Sequence, residues 1–219
     1  MKIFTTLPQD DLKKVPAATA VAEAAGYDGV MTLENRHDPF LPLAVAATAS
    51  EHLQLLTSVA IAFPRSPMVV ANLGWDLQSA SGGRFVLGLG SQVRGHNDRR
   101  FSVTWSDPAP RLREYIAALR AIWRCWEFGE KLDFQGDHYS FTLMTPEFSP
   151  KPSGLGPLPI TIAAVRPALL RLAGEVCDGV DNDCDDETDD ADASDASTWY
   201  ADTDGDGYGD PDNAANACE

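Results

Sequence analysis

The chain has 219 residues, of which 44% are apolar, and a formal charge of −16. The charge is local: residues 181–219 hold fifteen Asp or Glu and no Lys or Arg, which leaves eighteen acids against seventeen bases in the preceding body. A nearly neutral body and an acidic tail argue against nucleic acid as a partner. With neither an apolar run of spanning length nor a signal-peptide core, the expected location is cytoplasmic, without a membrane partner.

In chain order, Lys2–Leu7 reads as a strand, and Asp10 or Asp11 as the cap of a helix that runs to Ala25 and stops at Gly26. Gly29–Glu34 is a second strand and Pro39–Glu51 a helix with proline in its first turn. Leu53–Ala60 is a third strand, and Pro67–Ala80 a helix again opened by proline. Arg84–Gly90 is a fourth strand, whose short apolar run between glycines reads as buried on both faces. Gly88 and Gly90 end it with backbone that lacks a Cβ, which suits close approach of a ligand.

Ser91–Pro108 is long for a strand-to-helix connection and reads as a lid or binding loop. Pro110–Phe128 is an amphipathic helix with Leu112, Ile116, Leu119, Ile122, Trp123 and Trp126 on one face. A small hairpin surrounds Gly136; Pro159–Ala164 is a fifth strand and Pro167–Val176 a fifth helix. Five alternating strand–helix units predict an α/β protein with a parallel sheet, either an open doubly wound sheet or part of a barrel. Cys125, alone in a helical pattern, reads as a buried core thiol, whereas Cys177, Cys184 and Cys218 beside the acidic residues follow an extracellular habit.

Three segments carry a family resemblance: Glu34–Leu43, Thr57–Pro67 and Asp76–Gln92. It continues through Arg113–Trp123 and Leu143–Pro146 and ends in Ile162–Gly179. Together these resemble the luciferase-like monooxygenase superfamily, specifically its deazaflavin (coenzyme F420) oxidoreductases. The resemblance implies a (β/α)8 barrel, here a truncated TIM barrel of about five units over residues 1–179; residues 180–219 are expected to form an acidic, largely irregular tail. It implies coenzyme F420, or FMN as the alternative, bound at the strand carboxyl ends beside a small-molecule substrate.

On the same resemblance Ser58–Val59 corresponds to a non-prolyl cis peptide, with Ala60 beside it, against the back of the ring. Glu34 is the polar residue facing the ring, and His37 a candidate acid–base group by type. Gly90, Ser91 and His96 are expected to contact the cofactor. Ala164, Val165 and Arg166 lead into a helix N-terminus suited to its phosphate. Sugar-phosphate relatives carry Glu in the fourth loop, where this chain has Gln92 and Val93, so no acid or base is assigned there.

The tail resembles metal-binding repeats of secreted myxobacterial proteins. Asp202, Asp204, Asp206 and Asp210 take positions 1, 3, 5 and 9 of a calcium loop, but position 12 is Asn213, so a weak Ca2+ site is expected. Both patterns fit Glu175–Asp181, which suggests a recombined reading frame without strands six to eight. An oxidoreductase is therefore expected, with a calcium-binding tail on a non-catalytic half-barrel as the alternative. Self-association through open barrel edges is expected with either.

Overall fold

The computed structural model describes residues 2–177, 198–200 and 214–216, and the chain divides into two units, Met1–Ala163 and Ala164–Glu219. The strands of the first are β1 (Phe4–Thr6), β2 (Gly29–Thr32), β3 (Gln54–Thr57), β4 (Ala60–Ile61), β5 (Phe85–Gly90), β6 (Phe134–Gln135), β7 (Ser140–Phe141) and β8 (Ile160–Ile162). β1, β2 and β3 pair in parallel in that order. β5 takes β3 and then β4 along one edge and β8 along the other, all in parallel. The expected third strand is thus two short strands in line, and β6 and β7 form the expected small antiparallel hairpin.

The helices of this unit are α1 (Val15–Ala24), α2 (Phe40–Ala49), α3 (Pro67–Ser81), α4 (Arg94–Arg99) and α5 (Pro108–Phe128). Register separates the two faces of the sheet, because successive side chains point to opposite sides. Val30, Leu55 and Phe85 lie in one row and are completely buried. One residue further on, Met31 and Leu56 belong to the opposite row and are only half-buried. α5 closes on α3 where Gly74 stands: a Cβ there would lie 3.1 Å from Leu158 and 3.3 Å from Trp123. The Trp123 indole donates to the Ala71 carbonyl at 3.2 Å.

Local signals explain most boundaries. Ser66 caps α3 before Pro67, and Gly82 at φ 63° ends it; Asp107 caps α5 before Pro108, and Gly129 at φ 70° ends it. The first helix departs from expectation. Asp11 caps a separate 3-10 turn, Leu12–Lys14, and the α-helix starts only at Val15. Pro16 accounts for this, since inside a longer α-helix it would lack an N–H and clash with the preceding turn.

The connection Ser91–Pro108, expected as a lid or binding loop, contains the short helix α4. One further expectation is corrected. Cys125 is half-buried rather than fully buried, since the buried stripe of α5 runs through Leu112, Ile116, Leu119, Ile122 and Trp126, and Cys125 flanks it.

In the second unit, α6 (Pro167–Cys177) follows residues 164–166. β9 (Thr198–Tyr200) pairs antiparallel with β10 (Ala214–Asn216). Asp202, Asp204, Asp206 and Asp210, the expected calcium ligands, lie outside the described residues.

Candidate active site

The carboxyl ends of β2, β4 and β5 meet around one irregularity. The peptide bond Ser58–Val59 is cis, and it separates β3 from β4. Below it Leu56 is opposite Val86; above it Ala60 is opposite Leu89, so the β3–β4 line holds one residue more than β5 between these pairs. That is the geometry of a bulge. Ser58 and Val59 are half-exposed there, while Thr57 and Ala60 on either side are buried.

Thr57 repairs the ladder where the bulge interrupts it. Its hydroxyl donates to the Gly88 carbonyl and accepts from the Gly88 amide, both at 2.8 Å. The glycines of β5 therefore serve the neighbouring strand. A Cβ on Gly88 would lie 1.8 Å from the Thr57 carbonyl oxygen, and one on Gly90 would lie 2.6 Å from Val59 Cγ2. Along the direction a Gly90 Cβ would take stands Val59, so the glycine seats Val59 against β5.

Glu34, just past β2, reaches the same end of the sheet. Its Oε2 accepts from the Ile61 amide at 2.6 Å and from Arg65 Nη1 at 2.7 Å. Arg65 Nη1 also donates to the Ile61 carbonyl at 3.0 Å, and its Nη2 donates to Asp38 at 3.2 Å. The guanidinium lies 5.5 Å from the centre of the Phe40 ring. Burial disfavours its charge, but Glu34 and Asp38 more than compensate, and its pKa is held above the ordinary arginine value. Asp38 also accepts from the Phe40 and Leu41 amides at the start of α2. His37 is exposed.

The segment after β5 is organised by Asn97, a residue not anticipated from sequence. Asn97 is completely buried; its side-chain Nδ2 donates to the Ser91 carbonyl at 3.0 Å, and its backbone carbonyl accepts from Val103. Its Oδ1 is buried without a partner among the described residues. His96, the neighbouring candidate, is exposed on α4, and Ser91 is half-buried. Gln92 stands at φ 57°, and its side-chain oxygen accepts from the Val93 amide at 2.8 Å, so this position is spent on the turn.

Arg111, in the first turns of α5, donates to the Tyr139 hydroxyl at 3.1 Å and to the Thr104 carbonyl at 3.0 Å, and lies 4.4 Å from the Phe63 ring centre. Tyr115, one turn along, is fully buried with its ring edge-on to Tyr139 at 5.5 Å. Its hydroxyl has no partner among the described residues. Burial pushes this phenol far above the ordinary tyrosine range, with Tyr139 adding to the shift and Arg65 and Arg111 opposing it.

Of the expected site residues, the fold brings together Ser58, Val59, Ala60 and Gly90, with Glu34 tied to them through Ile61. Ala164, Val165 and Arg166 belong to the second unit, where Val165 and Arg166 are exposed and the Arg166 carbonyl accepts from Leu169 and Leu170 in the first turn of α6. Thr57 and Arg65 were missed as site residues. Both lie inside the Thr57–Pro67 segment, but a threonine ending a strand and an arginine before a helix carry no signal until their partners, Gly88 on β5 and Glu34 and Asp38 after β2, are known.

Parallel strands alternating with helices, with the candidate site at the strand carboxyl ends, define the α/β class. The chain belongs to the luciferase-like monooxygenase family, matching it over residues 2–181. It is 49% identical over 180 residues to an uncharacterized protein of Mycobacterium tuberculosis, a match that covers 82% of this chain and 52% of the relative. It is 32% identical over 176 residues to the 5,10-methylenetetrahydromethanopterin reductase of Methanolobus tindarius, covering 80% and 51% respectively. The coenzyme F420 dependent tetrahydromethanopterin reductase of Methanopyrus kandleri shares the fold with a TM-score of 0.65 at 19% identity, over 81% of this chain and 54% of that one. The chain thus spans about half the length of the curated relatives it matches.

Proposed function

We propose that this chain binds the ring of coenzyme F420, with FMN as the alternative, at the Ser58–Val59 bulge, and takes part in hydride transfer with a small organic substrate. The observation that carries this reading is the bulge itself. It exposes Ser58 and Val59 at the strand ends between two buried residues, on a chain of the luciferase-like family. The bound cofactor would supply the hydride chemistry.

The residues of this chain bind and orient. Ser58 and Val59 form the wall for the ring, and Gly90 lets Val59 sit flush against β5. Glu34, anchored on Ile61, provides the polar residue beside it. Ser91 and His96 on the segment after β5 are proposed contacts to the rest of the cofactor. Acid–base work by Glu34 or His37 is likewise proposed.

Equilibrium titration with F420 and, separately, with FMN tests the reading through quenching of cofactor fluorescence. Saturable binding of one of them is expected. Gly90→Leu should weaken it by about tenfold or more, because the added side chain must displace Val59. Failure of the parent chain to bind either cofactor would overturn the reading.

A further inference from the structure

Glu34 sits where the family resemblance puts a polar ring neighbour, yet one of its carboxylate oxygens is spent on two donors. Those donors come from different places: the amide of Ile61 in β4, and the guanidinium of Arg65 in the connection to α3. Arg65 Nη1 returns to the Ile61 carbonyl, which closes a ring of three hydrogen bonds through Glu34, Ile61 and Arg65. Nη2 adds Asp38, whose other oxygen holds the first amides of α2.

We propose that Arg65 is a positioning residue: it holds β4, and with it the Ser58–Val59 bulge, at a fixed height against β5 by tying Ile61 to Glu34 and Asp38. β4 needs such a tie. It is two residues long, its ladder with β5 is Ala60–Leu89 and Ile61–Gly90, and the bulge separates it from β3. Two residues of strand are a weak restraint, whereas hydrogen bonds to ionised groups in a half-buried setting are strong and directional. Arginine suits the task because its planar fork reaches a carbonyl and two carboxylates at once, which a lysine ammonium does not reproduce in that geometry. Arg65 and Glu34 side chains are only 18% and 9% exposed, so water competes little for these bonds. Arg65 acts through Glu34 and Ile61.

The test compares the parent with Arg65→Met and Arg65→Lys by hydrogen exchange at individual amides, and by cofactor titration. The Ile61 amide should exchange about 10–100-fold faster in Arg65→Met, with part of the protection restored in Arg65→Lys, while amides of β5 and α5 keep theirs. Unchanged exchange at Ile61 would overturn the proposal. So would a uniform loss of protection through β5 and α5, which would mark Arg65 as a general stabiliser. Where Arg65→Met does not fold, Arg65→Lys is read by the same criterion.

The titration arm rests on the cofactor reading above: affinity should fall in the order parent, Arg65→Lys, Arg65→Met, and equal affinity in all three would remove any link between the tie and the ring wall. Absence of cofactor binding by the parent would defeat that cofactor reading and, with it, the ring-wall half of this one. The exchange at Ile61 would still decide whether Arg65 holds β4.

Discussion

Thr57 and Gly88 are joined twice, the threonine hydroxyl bonding both the amide and the carbonyl of the glycine at 2.8 Å. This side chain replaces backbone pairing at the level where the cis bulge takes β3 out of register with β5. Thr57→Val keeps the shape and deletes the hydroxyl, which leaves the buried Gly88 N–H without its partner. The expected loss is at least about 2 kcal/mol of unfolding free energy, measured by urea denaturation. A loss below about 0.5 kcal/mol would show that the two strands find other partners.

The two glycines of β5 should differ in their tolerance of alanine. At Gly88 the new Cβ meets the Thr57 carbonyl oxygen, a backbone atom that cannot turn away; at Gly90 it meets Val59 Cγ2, a side-chain atom that can. Gly88→Ala is expected to cost about 3 kcal/mol or more, and Gly90→Ala about 1–2 kcal/mol. Parallel thermal melts of the two variants would check the order, and a reversed order would contradict the geometry.

Tyr115 buries a hydroxyl without a partner among the described residues. Tyr115→Phe should therefore be neutral or stabilising, by up to about 1–2 kcal/mol at neutral pH. The sign with pH follows from the raised phenol: the unfolded chain loses this proton first, so the folded state loses stability as pH climbs past the ordinary value of 10.0. Denaturation between neutral and alkaline pH should show a shallower decline in Tyr115→Phe than in the parent.

Glu127 of α5 accepts from the Ser153 amide at 2.7 Å, the Ser153 hydroxyl at 3.0 Å and the Gly154 amide at 2.8 Å. The Ser153 amide is the main cause that holds its carboxyl below the ordinary value of 4.5. The stabilisation is present above that value and lost as pH falls through the lowered one. Glu127→Gln should flatten the acid limb of the stability profile. In the parent, exchange at Ser153 and Gly154 should rise on acidification.

Among the described residues, β1 pairs only with β2, and β8 only with β5. Strands with an unpaired side are templates for further pairing, and the half-buried row through Met31 and Leu56 adds apolar surface. Self-association is the proposed outcome, read by size-exclusion chromatography with light scattering across a concentration series. A concentration-independent monomer would contradict it.

Legibility followed range. The burial of Phe85–Gly90, the proline start of α3 and the α5 stripe of Leu112, Ile116, Leu119 and Ile122 were readable, because composition and period report on one element at a time, whereas α5 starts at Pro108, behind the Asp107 cap, and not at the expected Pro110. The start of α1 lies at Val15 and not at the Asp10 or Asp11 cap signal, because Pro16 fits only the first turn of an α-helix.

The sequence by itself determined the alternation of strand and helix, their order and the family pattern, since these follow from propensity, period and capping within neighbouring residues. Only the tertiary structure decided that residues 54–61 form two strands, that Thr57 bonds Gly88, that Gly90 seats Val59, and that Arg65 ties Glu34 to Ile61. Each of these depends on the register between segments far apart in the chain, and a shift of one residue would turn every such side chain to the other face. That register is set by the combined burial of all the strands and helices, a property no single stretch of the sequence carries.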